Sequence, residues 1–215
     1  MARDGIAGSA ELLAYLHEWG ARTDEVLNRV RAETGEMPNA AMQISPDQGA
    51  LLTFLVRLTG AKNALEVGTF TGYSAICIAR GLPGDGRLTC LEVDADFAAI
   101  AQRNIGDAGV GDRVEVRIGP ARSSLEDMPV EPAFDFAFVD ADKQSYAAYY
   151  ELVLERVRQG GLILLDNMLQ GGRVITRETD NAAAVDDLNR TIKADERVDM
   201  AMTISADGLT LVRKR

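Results

Sequence analysis

From residue 64 onward the chain alternates short apolar runs with amphipathic segments, and that rhythm leaves few folds open to it. The runs are "ALEVG" (64–68), "RLTCLEVD" (87–94), "VEVRIG" (114–119), "FDFAFVD" (134–140) and "GLILLD" (161–166). Between them lie "YSAICIARGL", "ADFAAIAQRNIGDAG", "ARSSLEDM" and "SYAAYYELVLERVRQG". Strand followed by helix, repeated, predicts parallel strands joined by helical crossovers, with helices on both faces of the sheet. After residue 180 comes a helical stretch, "AAAVDDLNRTIKAD". Two strand-like runs, "VDMAMTIS" and "LTLVRK", then flank Ala206-Asp207-Gly208. Asp-Gly between strands is a hairpin signal, so the sheet is expected to end in an antiparallel pair. The first sixty residues read as helices. Ser9 and Thr23 are the expected caps of the first two; a third opens at Pro46 and closes at Gly60. The expected organisation is one domain over residues 1–215, a helical cap (1–60) on an α/β core (61–215).

Composition narrows the function. The net charge of −10 lacks the basic footprint of a nucleic-acid binder and favours a small-molecule substrate. No apolar stretch approaches the roughly 20 residues that span a bilayer. "MARDGIAGSAELLAY" lacks the order of a signal peptide, so the expected location is the cytoplasm. Cys77 and Cys90 sit in apolar settings and read as core residues. The only histidine, His17, lies in a helical pattern near the N-terminus, so a His-rich zinc site or a Ser-His-Asp triad has little to build on. Any catalysis must lean on carboxylates, Lys, Tyr or a hard metal.

In open α/β sheets ligands bind beyond the carboxyl ends of the strands. The first strand runs into "EVGTFTGYS", where Gly68 and Gly72 permit a tight turn before a helix near Tyr73. The turn departs from the G-x-G-x-x-G dinucleotide pattern, which disfavours a nicotinamide dehydrogenase. Glu92 closes the second strand, 24 residues after Gly68, where an acid can accept ribose hydroxyls. The third strand leads into "IGPARSSL", whose small residues leave space for a flat base.

Together, "ALEVGTFTGYSAICIARGLPGDGRLTCLEVD", "VRIGPA", "FDFAFVDADKQSY" and "GGLILLDN" resemble the cation-dependent, S-adenosylmethionine (SAM)-dependent O-methyltransferases, which include catechol and caffeoyl-CoA O-methyltransferases and bacterial relatives. The resemblance covers about residues 40–215. It implies a seven-stranded Rossmann-like methyltransferase sheet with its last strand antiparallel, and a homodimer. Carried over by motif, it implies that Glu66, Gly68 and Ser74 line the methionine part of the cofactor. It sets Glu92 at the ribose, Ala121 at the adenine and Met42 over the site, with Asp140 and Asp142 also beside the cofactor.

"GGLILLDNMLQGG" (160–172) ends an apolar run abruptly in Asp166 and Asn167. Asp140 closes the preceding strand, 26 residues earlier, room for one helical crossover. If the two strands pair, their ends lie about 4.8 Å apart and two carboxylates face each other. A divalent cation would resolve that conflict. Asp140, Asp166 and the Asn167 carbonyl oxygen are hard donors suited to Mg²⁺, or to Mn²⁺ or Ca²⁺. Lys143 follows Asp140 by three residues, and the resemblance makes it the catalytic base. The reaction expected is methyl transfer from SAM to one of two vicinal hydroxyls on a diphenol-like small molecule. A methyltransferase of hydroxylated tRNA uridine and a non-catalytic nucleoside-binding regulator are the alternatives. One departure stands out. Many relatives carry an aromatic soon after the Asp-Asn pair; here Met168 and Leu169 follow, and the only tryptophan, Trp19, lies far upstream. Arg173 and Arg177, in the same loop, read as solvated charges or as contacts for an anionic substrate tail.

Overall fold

Period-two burial in the strands sorts the apolar side chains into two layers. In the computed structural model, which describes residues 9–215, β4 (Phe134–Val139) sends Phe136 and Phe138 into one core and Ala137 and Val139 into the other. β5 (Val157–Leu165) divides likewise, with Leu164 on one side and Ile163 and Leu165 on the other. Burying each such Leu, Ile or Phe contributes about 1.5–3 kcal/mol, so both faces must be covered.

One face is covered by α2 (Glu25–Gly35), α3 (Pro46–Thr59), α4 (Tyr73–Gly81) and α5 (Ala95–Asp107), through residues such as Val30, Leu52, Ile76 and Ile105. The other is covered by α6 (Ala121–Asp127), α7 (Tyr146–Arg156) and α8 (Asp180–Ala194), through Leu125, Tyr150, Val153 and Leu188. With β1 (Asn63–Val67), β2 (Arg87–Glu92), β3 (Val114–Ile118), β6 (Val198–Thr203) and β7 (Leu209–Lys214), the sheet has seven strands among the described residues, in the order β3-β2-β1-β4-β5-β7-β6. β1 to β5 pair in parallel, and β7 runs antiparallel to both its neighbours. This is the seven-stranded methyltransferase sheet with a reversed last strand. Cys77, on α4, and Cys90, in β2, are both buried.

The N-terminal helices follow local rules. Ser9 caps α1 (Ala10–Trp19), and Ser45 caps α3 ahead of Pro46. The second cap falls one residue later than expected. Asp24, not Thr23, accepts from Leu27 N at 3.0 Å, and its other oxygen pairs with Arg80 at 2.7 Å, which ties the start of α2 to α4. α1 buries none of its residues: Leu13, Tyr15 and Trp19 are exposed, as are Phe54 and Leu58 on α3.

The helix expected to run to Gly160 ends at Arg156, and β5 begins at once with Val157 opposite Phe134. Val157 continues the helical apolar spacing, so the sequence is ambiguous there. The tertiary structure decides it. Lys214 Nζ, from β7, donates to Leu154 O (2.7 Å) and Val157 O (2.9 Å), satisfying carbonyls a helix end leaves free.

The chain order reverses between β1 and β4, and the ends of these strands touch. Gly68 has φ +89, and a Cβ there would overlap the Asp140 carbonyl oxygen. Gly68→Ala should therefore destabilise the protein by at least about 2 kcal/mol, from a left-handed backbone combined with a backbone overlap. A chemical-denaturation midpoint equal to wild type would show that the two strand ends can separate freely.

Candidate active site

Four of the five parallel strands are stitched to a neighbour by the residue just past their end. Gly68 N donates to Leu91 O (2.9 Å), Asp140 N to Val67 O (2.8 Å), Asp166 N to Val139 O (3.0 Å) and Gly119 N to Glu92 O (2.9 Å). Gly68, Asp140 and Asp166 lie one step beyond their strands and line a cavity of about 870 Å³, at the switch point where open α/β sheets bind ligands.

At one end of the cavity, Glu92 organises the loop after β1. Its Oε2 accepts from Thr69 N (3.1 Å) and Phe70 N (2.7 Å), and its Oε1 from Asp94 N (3.0 Å). Phe70 is held in the left-handed region (φ 50), its ring edge-on to Phe97 at 4.7 Å between centroids. Thr71 anchors the same loop, accepting from Thr34 Oγ1 (2.9 Å) and, through its carbonyl, from Asn104 Nδ2 (2.9 Å). A carboxylate has about four acceptor sites. Three amides leave Glu92 Oε1 with room for one more donor, where the sequence suggested a pair of hydroxyls.

At the other end, two acids meet. Asp140 and Asp166 follow Val139 and Leu165, which are direct partners across β4 and β5. Asp166 is buried; Gln48 Nε2 donates to its Oδ2 (2.7 Å) and Asn167 N to its Oδ1 (2.7 Å). Burial, and then the charge of Asp140, push the Asp166 carboxyl up to about 7. Lys143 Nζ donates to Asp140 Oδ1 (2.9 Å) and to Tyr146 Oη (2.6 Å) and stands 4.5 Å from the Tyr146 ring centroid. Asn167, with φ 55, also lines the cavity. Among the described residues no cluster of three His, Cys, Asp or Glu side chains offers itself to a metal. The set here is two carboxylates and an amide oxygen, hard donors that could hold a divalent cation and quench the repulsion between the acids.

Comparison with known proteins decides the family. The O-methyltransferase family profile matches residues 17–215. The chain belongs to the O-methyltransferase family. A probable caffeoyl-CoA O-methyltransferase of Arabidopsis thaliana is 35% identical, covering 100% of this chain and 99% of its own. The crystal structure of an O-methyltransferase from Bacillus cereus, in complex with S-adenosylhomocysteine (SAH), superposes with a TM-score of 0.86 at 37% identity, over 94% of this chain and 96% of that one. The O-methyltransferase TomG from Streptomyces achromogenes, solved in complex with SAM, gives 0.83 at 32% identity, over 94% of each chain.

Of the residues singled out in the sequence of this O-methyltransferase, Met42, Gly68, Ser74, Glu92, Ala121, Asp140, Asp142, Lys143, Asp166 and Asn167 all line the one cavity. Met42 is an exposed rim residue, and Asp142 accepts from Tyr149 Oη at 2.6 Å. Glu66 is the exception. It lies fully buried in β1 and is not part of the cavity wall. Neither of its carboxylate oxygens has a hydrogen-bond partner of good geometry. The loop after Asp166-Asn167 brings no aromatic to the site: Met168 is fully buried. Arg177 is taken up by Asp186 (2.6 Å) and Asp187 (2.7 Å). Sequence reasoning missed Gln48, Tyr146 and Tyr149, each of which holds a residue that it found. Gln48 carried one local hint, its place in the first turn of a helix opened by Pro46.

Burial pushes the Glu66 carboxyl up to about 7, against a partial offset from Ser74, Cys90 and Thr69. Its folded pKa lies above the unfolded one, so its stabilising neutral form is fully present below about pH 4.5 and is lost as pH rises through 7. In the cofactor-free enzyme, Glu66→Gln should thus gain about 2.5 kcal/mol over wild type between pH 5 and pH 8. Urea denaturation curves at both pH values test this; parallel behaviour of the two proteins would show that the acid is not held neutral.

Proposed function

We propose that this protein is a SAM-dependent, divalent-cation-dependent O-methyltransferase that methylates one of two vicinal hydroxyls on a small, catechol-like acceptor. The observation that carries the reading is the juxtaposition of Asp140 and Asp166 at the ends of paired strands with Lys143 Nζ beside them. The caffeoyl-CoA O-methyltransferases among its relatives support the acceptor class. SAH and SAM in the neighbouring structures support the cofactor.

Glu92 Oε1, with one acceptor site free, would accept from a ribose hydroxyl, and Ala121 would lie by the adenine. Ser74, on the cavity wall, and Glu66, fully buried beside it, would serve the methionine end. Asp140, Asp166 and Asn167 would hold the cation, with Gln48 fixing Asp166. When bound, SAM supplies an electrophilic methyl group, and the cation supplies charge neutralisation and acidifies an adjacent hydroxyl. Lys143 Nζ accepts the proton of the acceptor hydroxyl, whose oxygen takes the methyl as the carbon–sulfur bond breaks and SAH leaves. The remaining contribution of the site is position. With no aromatic after Asn167, the acceptor is held without ring stacking from that loop. The exposed apolar residues of α1 and α3 support a homodimer, and we place the enzyme in the cytoplasm; among the described residues no helix is long and apolar enough to cross a membrane.

EDTA treatment should abolish turnover of a catechol-type acceptor, and added Mg²⁺ should restore it. Full activity in metal-free buffer, or in Asp166→Ala, would overturn the cation requirement. Lys143→Met keeps the apolar stem and removes the amine, and should lower kcat by about 10²- to 10⁴-fold with SAH affinity nearly intact. Retention of kcat within about threefold at pH 7, far less than a positioned base contributes, would make Lys143 a bystander.

A further inference from the structure

Tyr146 is fully buried at the start of α7, and the reaction described above gives it no role. Its hydroxyl lies 2.6 Å from Lys143 Nζ, 3.1 Å from Val139 O and 3.1 Å from Asp166 O. The two carbonyls can only accept. A phenol has one proton to give, so that proton goes to a strand-end carbonyl and an oxygen lone pair is left for Lys143. Lys143 Nζ has a second acceptor, Asp140 Oδ1, at 2.9 Å.

This fixes the amine geometrically. With two of its hydrogens committed to Tyr146 Oη and Asp140 Oδ1, and Cε filling a third tetrahedral direction, the nitrogen has a single direction left. Lys143 itself lines the cavity and its side chain keeps 12% exposure. We propose that Tyr146 is a positioning residue: its hydroxyl, seated 3.1 Å from both Val139 O and Asp166 O, holds Lys143 Nζ so that its one uncommitted direction faces the acceptor hydroxyl in the cavity. The inference rests on Lys143 being the proton acceptor. It also ties the position of the amine to the spacing of the two strand ends that carry Asp140 and Asp166.

Tyr146→Phe keeps the ring and removes the hydroxyl. Val139 O retains its bond from Asp166 N, so only one carbonyl loses a partner. Kinetics with SAM, Mg²⁺ and caffeoyl-CoA would be compared for wild type, Y146F, K143M and the double variant, with SAH affinity by calorimetry. Y146F should lower kcat by about ten- to hundredfold, the scale of a small misplacement of a reacting group, with acceptor KM and SAH affinity within about twofold. In the K143M background Y146F should cost almost nothing more, because there is no amine left to aim. An equal loss in both backgrounds would make Tyr146 merely structural and overturn the proposal, as would an unchanged kcat in Y146F. A K143M enzyme with wild-type kcat would refute the base itself and the inference with it; an inactive K143M beside a fully active Y146F refutes the inference alone. A crystal structure of Y146F gives a readout independent of the acceptor: Nζ should leave its place beside Asp140, and an unmoved Nζ overturns the proposal. Should Y146F fail to fold, 3-fluorotyrosine at position 146 keeps the hydroxyl but weakens it as an acceptor; kcat should fall at constant KM, and an unchanged kcat again overturns the proposal.

Discussion

The side-by-side pairing of β1, β4 and β5 is the constraint on which everything else depends. Asp140, at the end of the middle strand, donates its amide to Val67 O, lays its carbonyl over Gly68 and offers its carboxylate to Lys143. The same pairing forces Asp140 and Asp166 together in a buried setting, an arrangement that costs free energy. Gln48, the Asn167 amide and Lys143 offset part of it. The apolar layers on both faces of the sheet supply the rest, since each buried Phe or Leu contributes about 1.5–3 kcal/mol.

Two glutamates in this site show how environment, not residue type, assigns a role. Glu92 is met by three backbone amides and works as a clamp on the loop after β1. Glu66, two residues before Gly68 on a central strand, is met by none of comparable geometry, and burial raises its pKa to about 7. One carboxylate is preorganised to remain an acceptor. The other, buried and off the cavity wall, has neither oxygen paired, and its burial favours the neutral form.

What was legible in the sequence was local. Strand runs, the Asp-Gly hairpin, Ser9 as a cap and the Pro46 helix start are written in period, composition and turn chemistry over a few residues. The strand readings overshot by the very residues that leave the sheet, Gly68, Asp140 and Asp166, because an acid or a glycine after an apolar run looks like a strand end until lateral bonds are known. The misses were all tertiary. Asp24 displaced Thr23 as a cap because it also meets Arg80. The end of α7 is set by Lys214, far along the chain. Gln48 meets Asp166 across a separation of 118 residues, and nothing in either stretch announces the other. The motifs named the family and the acids; the side chains that hold those acids became visible only with the fold.

β7 leaves a consequence for how the molecule is made. It closes the edge of β5, while Gly208 O and Asp207 O receive Met168 N and Leu169 N just beyond Asp166. In chain order β7 comes after every other strand and helix described. Until it arrives, a nascent chain carries β5 as an open edge of Ile163, Leu164 and Leu165, a surface on which another chain's strand can add. β7 is thus the strand that, last in chain order, covers this edge and at the same time fixes the backbone just beyond Asp166.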